Sequence, residues 1–445
     1  MAWLGALQNL QTSETVFLSC ESGSNMNVPM QSQPGFSDLF TPKLVTVLRE
    51  GYRARHFRAD LIAGLTVAIV ALPLSMAIAI ASGAGPERGL YTAIIGGLLV
   101  SLLGGSRFQI GGPAGAFIVL VAASVARHGI EGMLLATFLS GFILLAIGYL
   151  KLGTYIKLIP FPVTVGFTAG IAVIIFASQI KDLLGLRLTG PEPGELIEKL
   201  PALWQALPGF TPSAVAVSLA TIGLIVLLRQ VAPKIPGMLV AVTGASLAAF
   251  FLGLPVETIG SKFGGIPESL PYPALPDLNP ALIIAVIPDA LAFALLGAIE
   301  SLLSAVVADG MSGRRHRSNC EIVAQGYANI GSALFGGLPV TGTIARTATN
   351  VRSGAHSPVS GMLHSAFLLG FMLVAAPLAS FIPLAALAGV LATVAWNMAE
   401  KREFWSLIRA SRADALIVLS TFLLTIFRDL TSGIVVGFAI GAVVF

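Results

Sequence analysis

A single arginine stands out in a chain that has almost no charge inside its apolar segments. Arg346 belongs to the stretch LPVTGTIARTATN, residues 338–350, where Pro339 and Gly342 interrupt an apolar run. A short helix beginning behind such a break leaves the amides of its first turn without partners inside the helix. Unpaired amides and the positive end of the helix dipole attract an anion. Arg346, about one turn further on, adds a full positive charge, so the stretch predicts an anion-binding site.

The alternative is a polar loop with Arg346 in water, since clusters of Gly, Pro and Thr are typical of loops. A second copy of the pattern favours the first interpretation. SLLGG at residues 101–105 is matched by ALFGG at residues 333–337, and GGPAGAF follows the first as LPVTGTI follows the second. Two interrupted segments at corresponding places of two halves indicate a binding site near the membrane midplane.

Ionisable and hydroxyl side chains elsewhere in the apolar runs are further candidates. Glu300 lies near the middle of the eighth run, and a carboxylate at that depth indicates function by default. Ser304 is on the same helical face, so the two residues are a candidate Na⁺ site, or Glu300 alone binds a proton. Alternatively, Glu300 pairs with Arg346 and neutralises it. Ser75 is a candidate contact to the anion or a helix-packing residue, and His364 is expected to be a satisfied core histidine.

Composition places the chain in lipid. The 445 residues are 55% hydrophobic and 11% charged, whereas soluble domains carry about 25% charged residues. No basic patch interleaved with aromatics indicates nucleic acid. The two cysteines, Cys20 and Cys320, are too far apart for a disulfide framework or a metal motif. With no nucleophile–base set and no metal ligands, we expect a protein that is not an enzyme and has no cofactor beyond a coupling H⁺ or Na⁺.

The apolar runs predict an all-α membrane protein with 14 transmembrane segments in two inverted seven-segment repeats. The third and tenth runs are too short to span and are predicted to be half-helices, which puts the period at seven segments; an odd repeat inverts its second copy. The runs lie at residues 60–82, 89–104, 113–126, 132–150, 156–177, 213–228, 238–253, 281–309, 319–335, 343–351, 359–377, 383–398, 413–427 and 430–445.

The predicted organisation has three parts. Residues 1–58 form a cytoplasmic tail and a basic surface helix, residues 59–255 the first repeat and residues 256–445 the second. With the N-terminus inside, most Lys and Arg residues fall on the cytoplasmic side, as the positive-inside rule requires. We expect a multi-pass protein of the cell membrane, most consistent with a bacterial inner membrane.

Several blocks of the sequence resemble the sulfate permease family, also called solute carrier family 26. They are GLYTAIIGGLLVSLLGGSR, GGPAGAF, the block that begins ESLLSAVVADGMSG, and LPVTGTIARTATN. The likeness runs from about Asp60 to the C-terminus. It implies a core domain that moves against a gate domain, anion transport and a homodimer. Members of this family continue into a cytoplasmic STAS domain, so the chain is expected to be truncated before one.

The resemblance also implies roles for individual residues. It makes Glu300 the coupling or charge-balancing carboxylate. Many members have Gln and an aromatic in the first segment where this chain has Leu74 and Ile78, so a polar contact from that segment is not implied. One wall of the anion site would be Pro113, Ala114 and Gly115, and the other Thr343, Ala345 and Arg346.

Together these observations predict a secondary active transporter of a small inorganic or carboxylate anion, of the sulfate, bicarbonate or dicarboxylate class. Alternating access would be elevator-like, with H⁺ or Na⁺ coupling and lipid as the surrounding partner. One alternative is an uncoupled anion channel or an anion-driven sensor using the same site. Another is a nucleobase carrier of the related fold, although such carriers place a carboxylate on the tenth segment, where this chain has Arg346.

Overall fold

The computed structural model describes residues 39–156, 160–188, 190, 193, 196–233, 235–428 and 430–444, and most of them are helical. Most of the predicted N-terminal tail therefore lies outside the described residues. The helices are α1 (Lys43–Arg49), α2 (Ala54–Ala81), α3 (Pro86–Tyr91), α4 (Gly97–Leu103), α5 (Phe117–Tyr149), α6 (Gly153–Ile156), α7 (Phe161–Leu184), α8 (Leu196–Ala206), α9 (Pro212–Val231), α10 (Gly237–Phe251), α11 (Ile259–Phe263), α12 (Pro280–Ser312), α13 (Ser318–Leu334), α14 (Ile344–Arg352), α15 (Val359–Ala379), α16 (Leu384–Met398), α17 (Lys401–Ala410), α18 (Arg412–Phe427) and α19 (Leu430–Val444).

Six helices in the described part of the chain are long and apolar enough to cross a membrane: α2, α5, α7, α9, α12 and α15. A crossing of about 30 Å of hydrocarbon needs roughly 20 residues. The helix α10 is apolar but only 15 residues long. The α3 and α4 helices are joined by a π-helical segment, Thr92–Gly96, into one continuous rod. The chain is thus a helical membrane protein.

One local prediction differs from the structure, and a second agrees with it. The basic residues 54–58, predicted to lie in a separate surface helix, form the first turns of α2, because no breaker separates them from the apolar run behind. The predicted segments 113–126 and 132–150 correspond to the two helical parts of α5, which are separated by a non-helical residue, Gly129 (φ 69°, ψ −176°). A residue without a Cβ adopts this backbone conformation at little cost.

The helices pack in two groups, and each takes members from both halves of the sequence. In group A, which holds α2 to α5 and α12 to α15, α5 lies along α12 and α13 while α15 lies along α2. In group B, which holds α7, α9, α10, α16, α18 and α19, α7 lies along α16 and α18. The helices α5 and α13 approach closely at two glycines: a Cβ on Gly326 would lie 2.8 Å from the Gly141 carbonyl oxygen. Small residues permit such contact between membrane helices.

Two short strands cross inside group A. Strand β1 (Gly111–Gly112) pairs antiparallel with β2 (Thr341–Gly342), with Gly111 opposite Gly342 and Gly112 opposite Thr341. Each strand leads into a helix start, α5 from β1 and α14 from β2. Non-helical backbone at membrane depth is tolerated where it is buried in protein and its polar groups are paired. The pairing therefore satisfies the backbone of both interruptions at once.

Candidate functional site

The two helix starts behind the strands are not capped by side chains. Helix α5 begins after Ala116 and α14 after Thr343, and no described side chain accepts a hydrogen bond from the first turn of either helix. At the start of α5, the amides of Phe117 and Ile118 donate to the Ala114 and Gly115 carbonyl oxygens at 3.1 Å each. The first-turn amides of a helix have no intrahelical partner, and the positive end of the helix dipole lies there. The crossing of β1 and β2 holds both starts in one place, so the structure provides two adjacent anion-attracting ends.

Arg346 connects these two starts. It lies on the first turn of α14 with only 2% of its surface exposed. Its Nη2 donates a hydrogen bond of 3.1 Å to the Pro113 carbonyl oxygen of the opposite break. Its Nε and Nη1 have no hydrogen-bond partner among the described residues. The guanidinium thus joins one break to the other through Nη2, while Nε and Nη1 remain available as hydrogen-bond donors.

The other predicted wall residues divide into buried and accessible positions. Pro113, Ala114 and Thr343 are buried, whereas Ala345 is exposed and Gly115 is partly exposed. Gly115 faces group B, since a Cβ there would lie 3.3 Å from the Met398 sulfur. The accessible part of the candidate site is therefore backbone and small side chains at the boundary between the two groups.

A large cavity lies along this boundary. It has a volume of about 1130 Å³ and reaches the first turns of α5 at Val119 and Leu120. Its lining is otherwise mostly apolar, but Arg127 and Asp289 line one end and form an ion pair of 2.6 Å there. The helix start of α5 thus borders a space large enough for a hydrated small anion.

The threonine hydroxyls near Arg346 hold the breaks together. Thr343 donates to the Ile110 carbonyl oxygen through both its amide (3.0 Å) and its hydroxyl (3.1 Å). The Thr347 hydroxyl accepts from the Ile110 amide at 3.1 Å. Thr341 donates to the Gly297 carbonyl oxygen at 3.0 Å. These hydroxyls are engaged within the protein, so their main role is to fix the strands and the start of α14.

The predicted ion-coupling pair lies next to this network. Ser304 on α12 donates to the Thr347 hydroxyl at 3.1 Å. The Glu300 Oε2 atom is buried without a hydrogen-bond partner. Glu300 does not pair with Arg346: the guanidinium donates to Pro113 instead, and no ion pair joins the two side chains in the described chain. The neutralising pair considered from sequence is therefore wrong.

Ser75 lies on α2 in the interior of group A. It is fully buried, and its hydroxyl oxygen has no hydrogen-bond partner among the described residues. Leu74 and Ile78, the two apolar departures in the same helix, are also buried. Ser75 is thus placed within the interior of group A, but among the described residues no hydrogen bond from its hydroxyl joins it to the two helix starts.

Sequence reasoning missed a polar stripe on α13. Glu321, Gln325 and Asn329 recur every four residues within an otherwise apolar helix and are all buried. Asn329 clamps the approach to β2: its Nδ2 donates to the Val340 carbonyl oxygen and its Oδ1 accepts from the Val340 amide, each at 2.9 Å. Glu321 accepts from the Ser106 amide at 3.0 Å, on the approach to β1. The spacing of four was the available signal, because it puts all three side chains on one face.

Gln109 is a second missed residue. Its Nε2 donates to the Ser301 hydroxyl at 2.7 Å, beside Glu300 in the sequence. A Cβ on Gly342 would collide with Gln109, just as a Cβ on Gly112 would collide with the Arg346 guanidinium. Both strand glycines are thus required for close approach of a side chain from the opposite break.

Basic residues outside the membrane segments dock α1 onto group A. Arg317 donates to the Thr46 hydroxyl at 2.9 Å, and the Lys43 amide donates to the Gly104 carbonyl oxygen at 2.9 Å. Arg107 pairs with Glu50. The hydrogen bond from Arg107 lowers the pKa of the Glu50 carboxyl below its usual range. The end of α4 that leads to β1 is therefore tied to the N-terminal region.

With this geometry, comparison with known proteins becomes informative. The profile of the sulfate permease family matches residues 57–421. The chain belongs to the sulfate permease family. The resemblance inferred from the sequence blocks is therefore confirmed. Since the family is made of transporters, the prediction that the chain is not an enzyme is confirmed as well.

Relatives cover most of the chain. YvdB of Bacillus subtilis strain 168, whose name describes a candidate sulfate transporter, is 45% identical over 405 residues, or 89% of this chain and 75% of that protein. The bicarbonate transporter BicA of a Picosynechococcus species is 34% identical over 397 residues, or 86% of this chain and 69% of that protein. These two relatives are thus named as transporters of sulfate and of bicarbonate.

Solved structures share the fold. The transmembrane domain of a cyanobacterial bicarbonate transporter, BicA, superposes with a TM-score of 0.78 at 32% identity, covering 87% of this chain and 98% of that one. The murine anion transporter solute carrier 26 family member A9 superposes with a TM-score of 0.82 over 98% of this chain, but at 19% identity it shows the fold alone. The chain is therefore a multi-pass membrane protein with the transmembrane fold of these transporters.

Proposed function

We propose that the chain is a secondary active transporter of a small anion, of the sulfate, bicarbonate or dicarboxylate class. The observation that carries the proposal is the crossing of β1 and β2, which puts two helix N-termini and the buried Arg346 together. The names of relatives, sulfate and bicarbonate transporters, support the same class. The predicted substrate-binding residues are Pro113, Ala114, Gly115, Thr343, Ala345, Arg346 and Ser75.

The proposed architecture has 14 segments in two inverted repeats. The match of SLLGG with ALFGG supports it, as does the antiparallel pairing of the two strands that follow these sequences. Inverted repeats place corresponding broken segments head to head at the midplane. The sequence boundaries of the repeats, residues 59–255 and 256–445, are part of the same proposal.

The proposed mechanism is an elevator-type motion of group A, the core domain, against group B, the gate domain. Both walls of the candidate site belong to group A, and the hydrogen bond from Arg346 to Pro113 keeps them in one body. The accessible Gly115 lies at the boundary with group B. Moving a rigid group past a fixed one would carry the anion without dismantling its site.

Glu300 is the proposed coupling residue, binding H⁺ or, with Ser304, Na⁺. Its buried Oε2 without a hydrogen-bond partner supports this role, since a buried carboxylate oxygen needs a proton, a cation or a donor. Its place one turn from Ser304, which touches Thr347 of α14, would link ion binding to the anion site. The proposed assembly is a homodimer with a cytoplasmic N-terminus in a bacterial inner membrane.

The test is uptake of labelled anions into proteoliposomes, with pH and Na⁺ gradients varied separately. We expect uptake of sulfate or bicarbonate driven by one gradient, and a loss of about 10-fold or more in Arg346→Ala, which removes the charge at the site. Arg352→Ala is the matched control, since Arg352 is exposed at the other end of α14 and should leave uptake unchanged. Equal uptake by Arg346→Ala and wild type would contradict the role of Arg346.

Electrical recording distinguishes the alternatives. Current far above the turnover of a carrier, with no dependence on either gradient, would favour the uncoupled channel. Binding of anions without any flux would favour the sensor.

A further inference from the structure

His364 is a buried histidine without a hydrogen-bond partner. It lies on α15 with no exposed surface, and neither ring nitrogen has a partner among the described residues. The prediction of a satisfied core histidine is therefore wrong. A buried polar group left unpaired destabilises the fold, and nearly all such groups in native proteins are paired. An unpaired imidazole in a transporter interior calls for a ligand that it meets during the cycle.

A hydrogen bond between α14 and α15 links the surroundings of Arg346 and His364. Ser360, one turn before His364, accepts a hydrogen bond of 2.9 Å from Asn350, which lies one turn after Arg346 on α14. Residues four apart share a helical face. The faces that carry Arg346 and His364 are thus joined by the hydrogen bond between Asn350 and Ser360.

A second set of contacts, through Ser365 of α15, also connects the surroundings of His364 with Arg346. Ser365, next to His364, donates to the Ala93 carbonyl oxygen at 3.3 Å. Ala93 borders Gly112: a Cβ there would lie 3.6 Å from the Ala93 Cα and would collide with the unpaired Nη1 of Arg346. Arg346 and His364 are both buried, and each has nitrogens without a hydrogen-bond partner among the described residues, so both belong to one region of group A.

Other charged groups near α15 are already engaged. From α2, Asp60 accepts hydrogen bonds from Ser357 and from the His356 amide, and the His56 ring stacks on the His356 ring, all at the start of α15. From α3, Arg88 donates to the Gly336 carbonyl oxygen at 2.7 Å. The π-helical segment and α4 carry no ionisable side chain. Glu300 is the exception: it lies on α12, one turn before Ser304, which donates to Thr347, and its Oε2 atom has no hydrogen-bond partner among the described residues.

We propose that His364 takes up one proton when a dianion of the sulfate class occupies the site beside Arg346. This inference rests on the proposed function and names the charge of its substrate. The proton comes from the water on the side to which the site is open and adds to the lone pair of a ring nitrogen. Arg346 and a protonated His364 then carry two positive charges, which two negative charges of the anion balance.

The sign of the interactions explains why occupancy controls the proton. In the empty site, burial and the positive charge of Arg346 both oppose a second cation. A monoanion neutralises the charge of Arg346, but the burial of His364 still opposes its protonation. A dianion leaves one net negative charge beside the ring, and this charge favours the protonated form of His364. Because linkage is reciprocal, protonation of His364 strengthens dianion binding by the same factor. A neutral occupied site also crosses the membrane at lower cost than a charged one.

The experiment measures protons bound per anion. Calorimetry of the purified protein in two buffers of different ionisation enthalpy gives this number for sulfate and for chloride. We expect about one proton per sulfate and none per chloride in the wild type. In His364→Gln we expect no proton with sulfate and sulfate affinity that is weaker by about 10-fold at pH 6 and independent of pH. His128→Gln, the same change in a histidine of α5 whose Nε2 lies 3.8 Å from the Asp289 Oδ2 atom, should behave as the wild type.

The outcomes separate this inference from the proposed function. If no anion binds the wild type, the proposed function fails, and the inference with it. Sulfate binding without proton uptake in the wild type, or equal uptake in His364→Gln, overturns the inference alone. Loss of the proton in Glu300→Gln but not in His364→Gln assigns it to Glu300 and also overturns the inference.

A second variant and a measurement on the wild type guard against misfolding. His364→Asn introduces a smaller side chain than His364→Gln does. We expect this variant also to bind sulfate without taking up a proton. If both variants unfold, the ¹⁵N chemical shifts of the five imidazoles in the wild type show whether a histidine takes up the proton. One imidazole that becomes protonated on addition of sulfate, and not of chloride, supports the inference. No such change overturns it.

Discussion

At the scale of single residues, Arg346 has both a structural and a binding role. One of its nitrogens is spent on the Pro113 carbonyl, while Nε and Nη1 remain available. A guanidinium held in place before the ligand arrives loses less rotamer freedom on binding than a mobile one. Arg346 is therefore expected to bind an anion without first being ordered by it.

A methyl group on Gly112 tests this placement. The Cβ of Gly112→Ala would collide with Nη1 of Arg346, the mobile end of a long side chain, and would stand at a φ of +157°, which residues with a side chain rarely adopt. We expect uptake to fall by about 10-fold because the guanidinium must shift, together with a lower melting temperature from the backbone strain. Gly370→Ala is the control, since a Cβ there meets nothing within 4 Å. A large drop in melting temperature with unchanged uptake would contradict this assignment.

The sequence was informative about charged residues and less so about hydroxyls. Arg346 and Glu300 were identifiable because ionisable residues are rare in apolar runs. The hydrogen bonds of Thr343 and Thr347 with the backbone of Ile110 were not predictable, because they join positions 233 and 237 residues apart in the chain. His364 was misjudged for the same reason: whether a buried ring is paired depends on neighbours that only the fold brings near.

At the scale of elements, α13 organises both interruptions. Its polar stripe binds the approach to β1 through Glu321 and the approach to β2 through Asn329. The strands themselves contribute only two residue pairs. The helix is therefore the main support of two segments that have little regular structure of their own.

Removing Asn329 tests that support. Asn329→Ala leaves the amide and carbonyl of Val340 buried and unpaired, at a cost of about 2–4 kcal/mol. We expect a lower melting temperature in detergent together with lost uptake. Tyr327→Phe, a change on the exposed face of the same helix, is the matched control. Unchanged stability of Asn329→Ala would show that β1 and β2 are stable without support from α13.

Helix positions followed from the sequence more readily than helix junctions. The apolar runs coincide with helices because length and hydropathy are local properties. The start of α2 at Ala54 was misplaced, because no breaker separates the basic residues from the apolar run behind them. The break at Gly129 falls between the predicted segments 113–126 and 132–150.

At the scale of the whole molecule, group A and group B meet along a boundary that includes Gly115 and the large cavity. A site that moves with one group requires this boundary to slide. The mostly apolar lining of the cavity is suited to sliding, since it offers few hydrogen bonds that must be exchanged.

Joining the two groups tests the motion. A Cβ at Gly115 would lie 3.3 Å from the Met398 sulfur, so the pair Gly115→Cys and Met398→Cys is suited to a short, reducible thiol-to-thiol reagent. We expect the cross-link to lower uptake by about 10-fold or more and its reduction to restore it. Each single cysteine variant treated with the reagent is the control, and Cys320 is buried. A complete cross-link with normal uptake would contradict the elevator motion.

The pairing of β1 with β2 also means that the first strand is synthesised well before its partner. Gly111 finds its partner Gly342 only about 230 residues further along the chain. At roughly 5–20 residues per second, the ribosome delivers that partner about 10–50 s after the first interruption has left it. During this interval, the polar backbone of the early half has neither strand partner nor α13, in a lipid environment that offers no substitute. The nascent protein therefore depends on protected insertion until its second half emerges.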